Sequence, residues 1–260
     1  MRTLSLAARR LAFVAALLLL WEALTGGFGT PAVLDPIIVA RPSAALRELA
    51  RYSDSGLLVK DVTATLEAAT IGLLLGIAGG VLFGLLLGYA RPVAETVEPV
   101  LVAFNSLPRI ALAPVLIIAF GLGIASKIFL ALFTVFFIIF FNTYLGIRSV
   151  DPELVKALRV MGAGRWQLAR YVVLPSVFAW IFAALRTSVS FALSGAVVGE
   201  FVGSTQGLGY RMVISAGVLD TNRTYAILLL LMTIAVILVE VAKRVEDRLL
   251  RWRPAAQLIT

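Results

Sequence analysis

The sequence predicts an all-α membrane protein with about six transmembrane helices, and three observations carry that reading. Of 260 residues, 60% are hydrophobic and the mean hydropathy is +0.98, whereas an ordinary soluble domain is about 45–50% apolar. The apolar residues fall in long runs separated by charged clusters, the pattern of spanning helices and not the short alternating segments of a barrel. The bases gather at the ends of those runs, where the positive-inside bias places them. The chain reads as one domain, 1–260. An N-terminal span and interfacial helix reach about residue 64, a core covers 65–242 with a polar loop at 151–175, and a basic tail covers 243–260.

The first span is expected from about Leu11 to Leu24, after Arg9-Arg10. Trp21-Glu22 makes a poor cleavage region, so an uncleaved span is expected and not a removed signal peptide. Gly26 to Pro42 is broken by Gly and Pro and reads as an interfacial crossing. Pro42-Ser43 opens an amphipathic helix, with Leu46, Leu49 and Ala50 opposite Arg47, Glu48 and Arg51. Span two is expected over Thr65 to Tyr89. Its Gly72, Gly76, Gly80, Gly84 and Gly88 recur every fourth residue, a stripe that another helix can approach closely.

Span three, from about Val97 to Phe120, is expected to be interrupted at Pro108-Arg109 and at Pro114. Gly121-Leu122-Gly123 is a turn. Span four is expected over Ser126 to Ile147, span five over Val177 to Val198 and span six over Tyr225 to Val241, followed by bases from Lys243 to Arg253. With six spans and the N-terminus inside, fourteen bases fall on the inner side and seven on the outer. That places both termini and the 151–175 loop in the cytoplasm.

Much chemistry is excluded. The chain has neither Cys nor His, so thiolate and imidazole catalysis, disulfides and the commonest metal ligands are absent. No Gly-Lys-Ser/Thr ending completes a phosphate-binding loop, so no ATP site is expected. No catalytic, cofactor or metal residues are assigned. The net charge of +8 follows the membrane pattern and does not point to nucleic acid; the partner implied is the lipid bilayer.

Two features stand out against that background. One is Asp151 to Pro175. Asp151 suits a helix cap, Pro152 the first helical position and Glu153 the positive end of the dipole. Gly162 suits a turn, and Ala163 to Val173 a second helical piece carrying Arg165, Trp166 and Arg170, with Pro175 opening the next span. The other is a set of polar residues within spans. Arg109 beside Pro108 either faces a translocation cavity and favours an anion, or pairs with an acidic residue or freed carbonyls. Arg186 either meets a solute or snorkels toward an interface. Ser188, Ser190, Ser194 and Gly195 suit close approach, to a second copy or within one subunit. Glu200 is either a contact at a gate or at a binding protein, or a solvated helix end. Pro108, Arg109, Pro114, Ser190, Ser194 and Glu200 are the candidate pathway or gate residues.

Gly162, nine residues, then Val172-x-Leu174-Pro175 resembles the EAA-loop signature of ABC-importer permeases. The resemblance covers about Pro42 to Arg253 and is closest to the nitrate/sulfonate/taurine-type branch, which includes permeases for pyrimidine precursors. Leu107 to Pro114 with Phe120-Gly121-x-Gly123, and Gly207-Leu208-Gly209, are similar to further stretches of that branch. Two departures are plain: Lys156-Ala157-Leu158 stands where the family has its EAA triplet, and Ala119 where a Trp often precedes the Phe.

The resemblance implies a type I ABC importer (MetI-like) permease fold in a bacterial inner membrane. It implies a coupling helix formed by Lys156, Ala157, Leu158, Arg159, Met161, Gly162, Ala163, Gly164, Arg165 and Trp166. Leu158, Met161, Ala163, Gly164 and Trp166 would be the apolar contacts, Arg159 and Arg165 the rim and Gly162 the turn. The implied partners are two ATP-binding subunits, which hold the ATP, an extracytoplasmic substrate-binding protein and a second permease copy, plausibly as a homodimer. The implied solute is small, anionic or heteroaromatic. The rival is a secondary transporter or channel, which calls for ionisable midplane residues and paired broken helices in two repeated halves; a membrane-bound enzyme would need a polar reactive cluster, and the sequence has none.

Overall fold

The structure is a computed structural model that describes residues 2–29 and 31–249, without the side chains of residues 2–7 and 91. Every regular element among them is helical: α1 (Arg2–Leu24), α2 (Pro42–Asp54), α3 (Leu57–Tyr89), α4 (Arg91–Asn105), α5 (Arg109–Phe120), α6 (Ile124–Arg148), α7 (Pro152–Val160), α8 (Arg165–Leu168), α9 (Leu174–Val202), α10 (Leu208–Gly217) and α11 (Thr221–Leu249). Four stretches are long and apolar enough to cross a bilayer: α3, α6, Arg165–Val202 and α11. The bent pair α4–α5 makes a fifth. With α1, whose apolar run 11–20 is largely exposed, the six expected segments are all helical.

The chain divides into two compact units, Met1–Thr63 with Gln206–Thr233, and Ala64–Thr205 with Ile234–Thr260. In the first, a buried acid gathers donors from distant parts of the chain. The Asp61 carboxylate accepts from the Tyr52 hydroxyl at 2.6 Å, the Gly207 amide at 2.7 Å and Arg211 Nε at 2.6 Å. Asp61 is fully buried, so each donor offsets its desolvation. Burial and then the Asp61 hydrogen bond push the Tyr52 phenol well above its ordinary range. The Asp61 hydrogen bond likewise holds the Arg211 guanidinium higher. Arg223 pairs with Glu48 at 2.9 Å and lies over the Tyr52 ring.

The second unit is built on the glycine stripe. A Cβ placed on Gly72, Gly76, Gly80 or Gly84 would lie 2.5, 2.7, 2.8 or 2.6 Å from the Cβ of Ala131, Val135, Ile139 or Thr143 of α6. No side chain fits, and α3 lies backbone-close along α6, as the stripe predicts. On another face of α6, Gly195 of α9 would meet Ala131 Cα at 2.8 Å. Ala68, Ala69, Ala131, Leu193 and Ala196 form one small-residue core, with Ile234 and Leu238 packed against it.

Several elements differ from expectation. Span three breaks at Pro108-Arg109, as expected, but the break is a sharp bend: α4 and α5 meet at 93°. Pro108 is extended (φ −60°, ψ 113°), has no amide, and disfavours helix at Leu107 before it. Pro114 does not interrupt; it lies inside α5, where its missing amide leaves the Ile110 carbonyl without an intrahelical donor. Span two starts at Leu57, eight residues early, because Asp61 is satisfied inside the fold. Pro175 lies in the first turn of α9, as expected, but helix runs on through it from Arg165 to Val202. A π turn at Ala169–Val173, closed by the Leu174 amide on the Ala169 carbonyl, takes up the register where Pro175 lacks a donor. α10 follows the Gly207 turn (φ 112°) and has no counterpart among the predicted elements. Lys243, Arg244 and Arg248 of the basic stretch continue α11; Arg251 and Arg253 lie outside the described residues.

Candidate functional site

The Asp151–Pro175 loop forms a compact helical knob. Asp151 Oδ1 accepts from the Glu153 amide at 2.8 Å, Pro152 takes the first position and Glu153 the first turn. At the other end Gly162 turns left-handed (φ 87°). Its amide donates to the Arg159 carbonyl at 3.0 Å and the Ala163 amide to the Leu158 carbonyl at 2.9 Å, the paired bonds of a Schellman stop. Gln167 Oε1 then accepts from the Gly164 amide at 2.8 Å and opens α8. Lys156, the departure from the acidic pattern, pairs with Glu153 at 2.8 Å.

No residue of α7 is buried. Met161 is 80% exposed and Trp166 71%, flanked by Arg159 and Arg165. Val160, 90% exposed, and Leu154 extend this apolar surface; neither was singled out in the sequence, although both sit on α7 beside the expected contacts. Leu158 and Ala163 are half-buried instead, because the turn folds over them.

The knob is fastened at both roots. Trp180 Nε1 donates to Ser149 Oγ at 2.9 Å, and Ser176 Oγ donates to the Gly146 carbonyl at 3.0 Å. Gly146 would carry a Cβ only 3.0 Å from Val177 Cα. The end of α6 and the start of α9 are thereby held together, so the knob is tied to two spanning helices at once.

A second site lies within the spans. Arg109 and Ile110 of α5, Leu130 and Thr134 of α6, and Phe191 and Ser194 of α9, with Gly195 and Val198, line an open-sided cavity of about 170 Å³. The Arg109 guanidinium carbon sits 5.2 Å from the Phe191 ring centre, a cation–π contact. Arg109 makes no ion pair among the described residues, so the reading in which it pairs with an acidic residue is not what the fold shows. Arg186 is paired, with Glu246 at 2.8 Å, which makes it structural. A lone arginine on a spanning helix costs about 3 kcal/mol or more in lipid and marks a functional position.

The other candidates scatter. Ser194 lines the cavity, Ser190 is half-buried on the same helix, and Pro108 and Pro114 are exposed outside the cavity lining. Ser188 is fully buried and Gly195 packs on Ala131, so those two serve the subunit core. Glu200 is neither a solvated helix end nor an outward contact: it is 1% exposed, and both its oxygens accept from Thr65 Oγ1, at 2.8 and 3.1 Å. Lys127, 4% exposed, lies within its electrostatic reach. Burial beside a cation makes Glu200 an interior anchor. Phe191 and Thr134 were not foreseen, since nothing in one sequence tells a cavity-facing Phe from a lipid-facing one. Asp61 had a visible signal, an acid within the apolar run that opens α3.

Several apolar helices, a cavity between three of them and a protruding knob tied to two of them are the parts of a transport permease. The model for the binding-protein-dependent transport system inner membrane component matches residues 76–251, and the chain belongs to that family of ABC transporter permeases. It is 36% identical to a riboflavin transport system permease protein of Chloroflexus aurantiacus, covering 91% of this chain and 87% of the relative. It is 33% identical to a formylaminopyrimidine transport permease protein of Halalkalibacterium halodurans (93% and 94% covered). It is 28% identical to a putative aliphatic sulfonates transport permease protein of Bacillus subtilis (92% and 85% covered). The fold is similar to a chain of the inward-facing MetNI methionine ABC transporter, with a TM-score of 0.62 at 23% identity, covering 76% of this chain and 97% of that one.

Proposed function

We propose that this chain is the membrane-spanning subunit of an ABC importer and, as a homodimer, encloses the pathway for a small organic solute. The solute is delivered by an extracytoplasmic binding protein. Two separate subunits bind and hydrolyse the ATP; this chain carries no cofactor and no catalytic site. Both termini and the 151–175 knob face the cytoplasm. An anionic or heteroaromatic solute is in keeping with the riboflavin, formylaminopyrimidine and sulfonate named for the relatives.

The observation that carries this reading is the knob. Met161, Trp166 and Val160 stand exposed between bases, and apolar surface of this kind marks a docking site. Its roots are bonded to α6 and α9 through Trp180–Ser149 and Ser176–Gly146, so a partner that moves the knob moves both spans. Pairs of broken helices in two repeated halves would favour a secondary transporter; among the described residues one bent pair occurs.

The test is ATPase activity of a co-expressed candidate ATP-binding subunit in membranes, with the chain, without it, and with Gly162→Pro. Proline cannot adopt the φ of 87° found here. Hydrolysis and complex formation that need the chain and fail in Gly162→Pro support the proposal. A chain that binds no ATPase and moves solute on an ion gradient alone refutes it.

A further inference from the structure

The lining of the α5–α6–α9 cavity comes from matching heights on three helices. Arg109 lies eleven residues before Phe120, the end of α5, about 17 Å along the axis at about 1.5 Å per residue. Leu130 and Thr134 lie six and ten residues into α6 from Ile124, about 9 and 15 Å by the same rise. Phe191 and Ser194 lie eleven and eight residues before Val202, the end of α9, about 17 and 12 Å. Gly121 to Gly123 joins α5 to α6, so these depths share a reference. They converge near the middle of a hydrocarbon layer about 30 Å thick.

A charge at that depth needs a partner or water. Arg109 has no carboxylate partner among the described residues, and its one recorded interaction is the Phe191 ring. The Thr134 hydroxyl is committed to the Leu130 carbonyl at 2.7 Å. Ser194 is exposed and makes no hydrogen bond among the described residues. The remaining walls, Ile110, Leu130 and Val198, are apolar. The result is one fixed positive charge and one free hydroxyl over a hydrophobic floor.

We infer that this cavity is the point within the membrane where the chain meets an oxyanion group of the passing solute. Arg109 and the Ser194 hydroxyl donate to the sulfonate or carboxylate oxygens, and Phe191 and the aliphatic walls take the adjoining apolar part. The inference rests on the permease reading and narrows it to an anionic solute. The space is about 170 Å³. It accepts a head group or a compact anion, being smaller than the roughly 300–1,000 Å³ of pockets that enclose a drug-sized molecule.

The absence of cysteine gives a clean test. Single cysteines are introduced as Ser194→Cys and, separately, Val198→Cys, in the full chain in membrane vesicles of both orientations. Each is reacted with two thiol reagents of similar size, 2-sulfonatoethyl methanethiosulfonate (anionic) and its trimethylammonium counterpart (cationic), with rates divided by those of a free thiol. Preference for the anionic reagent by about tenfold is expected from a cleft of one sign of charge. That preference should fall to near unity with Arg109→Gln and persist with Arg109→Lys. No modification at either position, or a ratio that Arg109→Gln leaves unchanged, overturns the inference. ATPase activation is read separately: a chain that activates the ATPase without the anion preference loses only this site, and one that shows the preference without activating any ATPase loses the importer reading.

Discussion

Gly80→Ala tests the seam on which the core is built. The added methyl would lie 2.8 Å from Ile139 Cβ, 2.9 Å from Ile139 Cγ2 and 2.9 Å from the Phe136 carbonyl oxygen. Ordinary contacts lie at about 3.5–4.0 Å, so α3 and α6 must separate by roughly 0.7 Å or more. One of the three obstacles is backbone and cannot rotate away. Tilting gives no relief either, since Gly76 and Gly84 are equally tight against Val135 and Thr143. Overpacking of this kind costs about 1–3 kcal/mol, while Gly to Ala within a helix returns about 1 kcal/mol.

Gly79→Ala isolates the first effect, because its methyl meets only the Phe136 ring edge at 3.3 Å, which can shift. The helix-propensity gain is common to both variants and cancels. Gly80→Ala is therefore expected to be less stable than Gly79→Ala by about 1–3 kcal/mol, a difference in melting temperature of about 2–12 °C for a chain of this size. Thermal unfolding of the detergent-solubilised protein, followed by far-ultraviolet circular dichroism, reads this directly. A Gly80→Ala variant that melts at or above Gly79→Ala would show that α3 does not rest backbone-close on α6.

Three further outcomes are expected. Asp61→Asn leaves Arg211 facing a neutral amide in place of a charge, at a cost of about 3 kcal/mol, and adding Arg211→Gln should recover part of it in a double-mutant cycle of melting measurements. The raised Tyr52 pKa stabilises the neutral phenol. Its contribution is therefore complete below the ordinary value of about 10 and is lost only as pH rises through the higher folded value. In an ultraviolet titration Tyr52→Phe should remove a phenol that ionises after the others, and an unchanged late phase would count against the Asp61 contact. Trp180→Phe removes the bond to Ser149, worth about 1 kcal/mol. It should leave folding intact and weaken activation of the ATPase in the assembled complex; unchanged activation would mean that this root does not transmit motion.

The glycine stripe was legible because its period of four is a property of one helix, and the Asp151 cap and Gly162 turn because their signals lie within a few residues. Polar residues facing their own fold were harder to place. Glu200 reads as a helix end in the sequence, yet Thr65 lies 135 residues away and bonds it. The 93° bend between α4 and α5 was read as an interruption of one span, since a proline marks a break without fixing its angle. Pro175 marked the first turn of α9 but not the helix that continues before it. A π turn absorbs it, and the π register depends on how α9 packs, which no local pattern encodes. In the cavity Arg109 announced itself as a charge in an apolar run, whereas Phe191 needed the fold.

The Asp61 cluster also sets an order of events during synthesis. Gly207 and Arg211, two of its donors beside Tyr52, follow it by 146 and 150 residues. At the roughly 5–20 residues per second of a translating ribosome, they are made about 7 to 30 seconds after Asp61. Throughout that interval Tyr52 is the only one of these three donors in existence. The unit joining Met1–Thr63 to Gln206–Thr233 therefore cannot close until the segments between have been made, and a nascent chain halted before Arg211 carries an acid in search of its cation.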